Sequence, residues 1–181
     1  MSQQLKVGQV WKDREGREVR IAGMDDDSDY PFYGSNGHSY TLSGAIFKFD
    51  DSDKYAVAML DLDHFKKIND TYGHVIGDDL LKHTVEIMQQ SIRSSDIIVR
   101  VGGEEFLIIF KNSTLKGAQA VCEKLRENIM NTPLKTVGVQ TISIGLTNVK
   151  VNEDMETVSQ RADSALYEAK RNGRNQVVTK R

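Results

Sequence analysis

The chain is poor in the features that mark secreted, membrane-spanning or nucleic-acid-coating proteins. It has one cysteine, Cys122, in 181 residues, so no disulfide can form within it. Nothing in its thiol content points to an oxidising or secretory setting. Cys122 falls at an apolar position of a helical pattern, where a lone thiol serves as a small core side chain. No apolar run approaches the roughly 18 residues of a spanning helix. The opening Met1-Ser2-Gln3-Gln4-Leu5-Lys6 lacks the apolar segment of a signal peptide. An excess of one charge is also missing: 24 Lys and Arg against 26 Asp and Glu leave a formal net charge of −2. That argues against non-specific nucleic-acid binding, which needs a strong basic excess, and leaves room for small anions held by a few placed cations. The four histidines show no zinc-like spacing, and no internal repeat or low-complexity linker is visible. These absences lead to the expectation of a soluble cytoplasmic protein with neither membrane nor nucleic acid as partner.

What is present divides into two unequal parts. Residues 1–50 carry Trp11, Tyr30, Phe32, Tyr33 and Tyr40 among six glycines. Val19 and Ile21 alternate with Glu18, Arg20 and Ala22, a strand signal. Arg14-Glu15-Gly16 reads as the turn of a hairpin between residues 7–12 and 18–24. A small β-rich module is expected here. Asp25-Asp26-Asp27-Ser28-Asp29 invites a calcium reading, but a loop of that type would place Tyr30 where glycine makes the sharp turn and Asn36 where Glu closes the site. A solvated acidic loop is the preferred reading.

Residues 51–181 interleave strands and helices. Residues 55–60 form a short apolar run of buried-strand type. Leu81, Val85, Met88 and Ile92 share a helical face, as do Ala118, Val121, Cys122, Leu125 and Ile129, and again Val158, Ala162, Ala165, Leu166 and Ala169. Apolar runs at 97–101 and 106–110 flank Gly102-Gly103-Glu104-Glu105, a hairpin signal. Residues 141–146 and 176–178 read as further strands. The order β-α-β-β-α-β-α-β predicts an α/β (α+β) domain with a central mixed sheet flanked by helices.

The first strand runs into Asp61-Leu62-Asp63, and the hairpin tip carries Glu104 and Glu105. If these strands are neighbours, Asp61 and Glu104 meet. Two or three carboxylates with a backbone carbonyl make a hard oxygen site suited to Mg²⁺ shared with substrate phosphates. Two such ions about 3.5–4 Å apart would support in-line displacement at phosphorus. Solvated acidic side chains are the plain alternative. The glycine pair supplies the positive φ of a tight hairpin or lets phosphates approach the backbone; the plain alternative is a structural turn.

Gly102-Gly103-Glu104-Glu105-Phe106 resembles the defining motif of the GGDEF family, the diguanylate cyclases, in its GGEEF form. A pentapeptide of this kind arises by chance in on the order of one chain in several thousand of this length. Asp61-Leu62-Asp63-His64-Phe65-Lys66-Lys67-Ile68-Asn69-Asp70-Thr71-Tyr72-Gly73-His74 resembles the family's upstream block, followed by Gly77-Asp78. Arg161-Ala162-Asp163, Tyr167-Glu168-Ala169-Lys170 and Gly173-Arg174-Asn175 resemble its closing block. The likeness covers residues 55–179.

The resemblance implies a nucleotidyl-cyclase, palm-like fold and two facing domains, a homodimer, each holding one GTP. The 3′-hydroxyl of each attacks the α-phosphate of the other, giving cyclic di-GMP. It also implies roles. Asp61, the Leu62 carbonyl and Glu104 ligate Mg²⁺, with Mn²⁺ as a substitute. Glu104 accepts the hydroxyl proton and Glu105 assists. The backbone around His64 and Phe65 cradles phosphates, Lys66 stabilises developing charge, and Lys170 and Arg174 reach the outer phosphates. For those two, the plain alternative is a helix C-terminus dressed with positive charge. Asn69 and Asp78 read guanine with His74 nearby; without the family, Asn69 is a helix-cap candidate and His74 a surface histidine. Arg93-Ser94-Ser95-Asp96 resembles the family's product-inhibition site, with Lys124 as a second basic contact, against the alternative of a local salt bridge.

Two departures stand out. The family's Leu-Thr-x-Leu-x-Asn-Arg lead-in has no clear counterpart in Thr41-Leu42-Ser43-Gly44-Ala45-Ile46-Phe47, and Val101 stands where an aromatic is common. An active cyclase is the leading expectation. A catalytically inactive sensor of GTP or cyclic di-GMP is the rival, although such members usually show damage at the glycines or acids. A polymerase palm shares the carboxylate logic, and the absence of a basic tract argues against it.

Overall fold

A strand that is apolar on both faces has to lie inside a sheet. β5 (Tyr55–Leu62) is such a strand, buried at every position after Tyr55. The computed structural model describes it together with the rest of residues 54–151 and 153–181. In the N-terminal stretch it describes the backbone of β1 (Gln9–Lys12), β2 (Glu18–Gly23), β3 (Phe32–Gly34) and β4 (Ser39–Tyr40). β5 pairs antiparallel with β7 (Glu105–Lys111) on one side and with β8 (Ile142–Asn148) on the other. β6 (Ile97–Arg100) extends the sheet antiparallel beyond β7, and β9 (Val177–Lys180) runs parallel to β8. The order β6-β7-β5-β8-β9 is the mixed sheet expected from the pattern of elements.

Side chains of a strand alternate between faces, and each face has its own cover. Ala58, Leu60, Leu62, Ile108 and Ile144 meet α1 (Phe65–Tyr72), α2 (His74–Ser91) and α3 (Leu115–Asn131). Val57, Met59, Leu107 and Ile109 meet α4 (Met155–Arg171) through Met155, Val158, Ala162 and Leu166. The three helical stripes face these cores. Leu81 and Met88 are buried in the first, with Val85 and Ile92 packed against it. Cys122 is fully buried there; burial pushes its thiol far above the ordinary range, which leaves it inert. Among the described residues, no helix is long and apolar enough to cross a membrane.

One element departs from expectation. A single helix was expected between β5 and β6, and there are two. Gly73, at φ 82° and ψ 161°, ends α1 by donating its N–H to the Asn69 carbonyl, and α2 starts at the next residue. A periodicity count across this junction sees one amphipathic stretch, because both helices bury apolar residues in the same core.

The N-terminal strands form a separate antiparallel meander, β1-β2-β3-β4. β1 and β2 are the expected hairpin partners, with Val10 opposite Arg20. The turn at 14–16, the acidic run at 25–29, the lead-in segment at 41–47 and the expected domain border between residues 50 and 51 lie outside the described residues.

Helix α4 packs its backbone directly against β8 at Gly145. A Cβ there would lie 2.1 Å from both the Ala162 carbonyl oxygen and the Leu166 nitrogen. Both are backbone atoms and cannot rotate away. Gly145→Ala is therefore expected to lower stability by about 1–3 kcal/mol through overpacking, read as a lower midpoint in urea unfolding.

The α4 N-terminus is tied down by Arg161, which donates to both carboxylate oxygens of Glu153 at 2.6 and 2.7 Å and to Thr147 Oγ1 at 2.6 Å. The Arg161 hydrogen bonds hold the Glu153 carboxyl at about 2, against its ordinary 4.5. A depressed acid stabilises the fold fully above its unfolded value and loses that contribution as pH falls through the folded value. Glu153→Gln should thus be less stable than wild type at pH 7, and the difference should shrink between pH 4.5 and about 2, as urea titrations across that range would show.

Candidate active site

The C-terminal end of β5 and the β6–β7 turn lie side by side. Asp61 is the register partner of Glu105, and Leu62 N–H donates to the Glu104 carbonyl at 3.3 Å. The expected meeting of the two acidic segments is therefore present. Asp61 falls on the α4 face of the sheet, in phase with Val57 and Met59, and α4 answers with Lys170, whose Nζ lies 2.7 Å from Asp61 Oδ2.

The charges around this point are unbalanced. Burial is the main reason that the Asp61 carboxyl sits above its ordinary range; the hydrogen bond and charge of Lys170 pull it down, Asp63 pushes it up, and Arg174 pulls it down. Glu104 is raised first by burial and then by the charges of Asp61 and Glu105, with Lys170 opposing. Among the described residues, no group of three or more His, Cys, Asp or Glu side chains is arranged to hold a metal ion. Asp61, Glu104 and the Leu62 carbonyl make a set too small to close an octahedral shell alone. Such a donor set suits a Mg²⁺ or Mn²⁺ ion that shares its shell with phosphates, and the carboxylate charge that Lys170 balances only in part favours a cation there. The residues fit the ion.

Asp63 does something else. It is 1% exposed, and its carboxylate accepts from Thr141 Oγ1 and Ser143 Oγ, each at 2.7 Å, and from Asn175 N–H at 3.1 Å. Its backbone N–H donates to the Thr141 carbonyl, and its own carbonyl accepts from Gln140 Nε2. These bonds seat Arg174, which precedes Asn175 and has φ 63°, a left-handed conformation unusual for a long side chain. Arg174 N–H closes α4 on the Ala169 carbonyl.

Beyond Asp63 the chain turns through His64, also left-handed at φ 62°, into α1. No side chain caps this helix start, so the amides of Phe65, Lys66 and Lys67 point forward without intrahelical acceptors, an anion-binding arrangement. Phe65 is buried, while His64 and Lys66 are exposed beside these amides. At the other end of α1, Asn69 Oδ1 is buried without a hydrogen-bond partner. It rests in the notch left by Gly77, where a Cβ would fall 1.8 Å from it. Asp78, next along α2, and His74 at the α2 start are exposed near this orphaned acceptor.

The glycine pair needs a correction. Neither Gly102 nor Gly103 adopts the left-handed φ that a tight hairpin was expected to require. A Cβ on Gly102 would sit 2.6 Å from Glu105 Oε2, whereas one on Gly103 would meet nothing. Room beside Glu105 and an open face at Gly103 are what the pair provides. The turn is held instead by Val101 N–H on the Glu105 carbonyl at 2.9 Å and by Arg100. The Arg100 guanidinium donates to the carbonyls of Gly102 (3.1 Å) and Gly103 (2.7 Å). Sequence reading missed Arg100, Gln140 and the role of Asp63; an arginine just before a Gly-Gly turn was the available signal for the first.

Arg93 and Asp96 lie apart from this site, at the α2–β6 corner, and Lys124 is on α3. Asp96 is buried and accepts backbone N–H groups from Arg93 (3.1 Å) and Lys111 (3.3 Å), so its carboxylate shapes the corner. Among the described residues the local Arg93–Asp96 side-chain salt bridge is not formed, and the Arg93 side chain is exposed. Lys124 is one turn before Asn128 on α3, and Asn128 donates to Ser91 Oγ near the end of α2. This α3 face is therefore turned toward Arg93.

Comparison with known proteins agrees with this geometry. The family model "Diguanylate cyclase, GGDEF domain" matches residues 41–176, beginning upstream of β5 within the lead-in segment. Diguanylate cyclase A of Treponema denticola is 37% identical over 145 residues, covering 78% of this chain and 38% of that protein. The probable diguanylate cyclase DgcT of Escherichia coli is 42% identical over 132 residues, covering 70% and 29%. The chain thus spans less than two-fifths of the length of either relative. Among solved structures, the GGDEF domain of DgcB from Caulobacter crescentus in complex with c-di-GMP superposes with a TM-score of 0.67 at 33% identity, covering 70% of this chain and 78% of that one. The active GGEEF domain of a diguanylate cyclase from Vibrio cholerae does so with a TM-score of 0.67 at 32% identity, covering 71% and 83%. Sheet order, acidic turn and relatives converge: the chain belongs to the diguanylate cyclase GGDEF domain family.

Proposed function

We propose that two copies of this domain, each holding one GTP, condense the two nucleotides into cyclic di-GMP and release two pyrophosphates. The observation that carries this reading is the placement of Asp61 and Glu104 together, with Lys170 beside them, next to the uncapped start of α1. In each half-reaction a 3′-oxygen forms a bond to the α-phosphorus of the other nucleotide, and the bond from that phosphorus to pyrophosphate breaks. Glu104, whose proton affinity is already raised, takes the hydroxyl proton, with Glu105 beside it. Mg²⁺ or Mn²⁺, held by Asp61, the Leu62 carbonyl and Glu104, supplies charge neutralisation and a lowered hydroxyl pKa when bound. The α1 amides at Phe65 and Lys66, with the Lys66, Lys170 and Arg174 side chains, hold the phosphates. The open face at Gly103 lets the nucleotide approach the turn, and Gly102 leaves room for Glu105 beside it. A domain with one such site accommodates one nucleotide, so the homodimer is part of the proposal.

Guanine selection follows from the orphaned Asn69 Oδ1 and the exposed Asp78 carboxylate, with His74 alongside. Both are acceptors, and guanine offers N1–H and N2–H donors where adenine offers an N1 acceptor and no 2-amino group. A buried acceptor without a donor is costly, so filling it rewards the correct base.

Wild-type protein with Mg²⁺ is expected to convert GTP to cyclic di-GMP, identified by mass, and Glu104→Ala should lower the rate at least about 100-fold. An intact wild-type dimer that consumes no GTP under these conditions would overturn the reading; product binding without turnover would identify a sensor instead.

Product inhibition is proposed at the α2–β6 corner, where exposed Arg93 meets a phosphate or guanine edge, Lys124 adds a second cation and buried Asp96 sets the loop. Losing a charged hydrogen bond costs about 1.5–3 kcal/mol, so Arg93→Ala should raise the inhibition constant for cyclic di-GMP about tenfold or more. An unchanged constant would remove Arg93 from the site.

A further inference from the structure

We propose that Lys170 is a resident counter-cation that couples divalent-cation binding to triphosphate binding, so that neither ligand is held well without the other. The inference rests on the reading of Asp61 and Glu104 as cation ligands. Its starting point is the Lys170 Nζ–Asp61 Oδ2 pair at 2.7 Å, between side chains that are 30% and 10% exposed. The same ammonium acts on Glu104 through charge. Lys170 therefore already occupies the neighbourhood in which a divalent ion would neutralise both carboxylates.

Two consequences follow from elementary electrostatics. A Mg²⁺ ion binds a carboxylate oxygen at about 2.0–2.1 Å, and at that position it meets the charge of the Lys170 ammonium, which already draws on Asp61 Oδ2. An ion arriving alone binds against the repulsion of Lys170, or displaces it and leaves that positive charge beside a dication with no acceptor of its own. A triphosphate arriving alone draws Lys170 away and leaves Asp61 and Glu104 facing a polyanion. When both arrive, Lys170 exchanges one oxygen anion for another: it leaves Asp61 for the phosphates as the carboxylates gain their new partner. Its position on the last turn of α4 suits this exchange, because a flexible four-carbon stem lets a lysine ammonium swing where an arginine fork is more rigid. By thermodynamic reciprocity, each ligand then strengthens the other by the same factor.

The test measures free Mn²⁺ by electron paramagnetic resonance with the full chain, with and without a non-hydrolysable GTP analogue. Wild type is expected to bind Mn²⁺ at least tenfold more tightly with the analogue, and the analogue at least tenfold more tightly with Mn²⁺. In Lys170→Met, nucleotide-free Mn²⁺ affinity should rise at least threefold and the coupling factor should fall several-fold. Lys170→Arg, which keeps the charge, should return nucleotide-free Mn²⁺ binding toward wild type. Unchanged or weaker nucleotide-free Mn²⁺ binding in Lys170→Met overturns the proposal. Asp61→Asn separates the two levels: if it abolishes Mn²⁺ binding while Lys170→Met fails to tighten it, the cation site stands and the lysine exchange falls. If Mn²⁺ binding persists in Asp61→Asn, the cation-site reading and this inference fall together.

Discussion

A single buried carboxylate ties the site together. Asp63 lies just past the end of β5, and its two oxygens hold the start of β8 through Thr141 and Ser143 and the loop after α4 through Asn175. Three segments far apart in sequence are thereby fixed to one point. A buried charge is tolerable only when its hydrogen-bonding capacity is filled, and here side-chain hydroxyls and a backbone amide fill it. The residues of chemical interest are neighbours of this post: Asp61 two positions earlier, His64 one later, and Arg174 one before Asn175. Disturbing Asp63 would move the acidic corner relative to the cations without touching either.

The two-faced sheet explains why the cations are where they are. β5 gives alternate side chains to two cores, and the face carrying Asp61 is the one covered by α4. A helix packed tightly on that face, with its backbone against Gly145, delivers its last turn beside the acidic strand end. Close packing and charge placement are therefore one requirement. Had Gly145 carried a side chain, α4 would stand off and Lys170 would retreat with it.

Much of this was legible in the sequence because it depended on local periodicity and on chemistry carried by residue type. The buried strand at 55–60, the three helical stripes and the acidic turn each announce themselves within a short window. The meeting of Asp61 with Glu104 followed once β5 and β7 were taken as neighbours. What escaped were features set by contacts across the fold. Gly73 splits α1 from α2 through its backbone angles, which hydrophobic patterning does not report. Asp63 looked like a second acidic candidate, and its partners lie about 80 and 110 residues further on. Arg100 clasps the turn carbonyls, whereas the glycines were expected to set that turn by their own conformation. Asp96, read as a ligand contact, turns inward to the backbone because the corner before β6 needs an acceptor there.

Helix α1 ends up short and bounded at both ends by fixed structure. Eight residues at 1.5 Å rise make it about 12 Å long. Amides without a side-chain cap lie at its start, and the Asn69–Gly77 notch lies within its last turn. The helix is in effect a ruler. On the proposed reading, a nucleotide that meets both ends carries its negative charge and its donor edge at a set separation, so size would be selected along with composition. An inserted residue within α1 would lengthen the span and turn the notch by about 100°, abolishing both matches at once while leaving every named side chain in the protein.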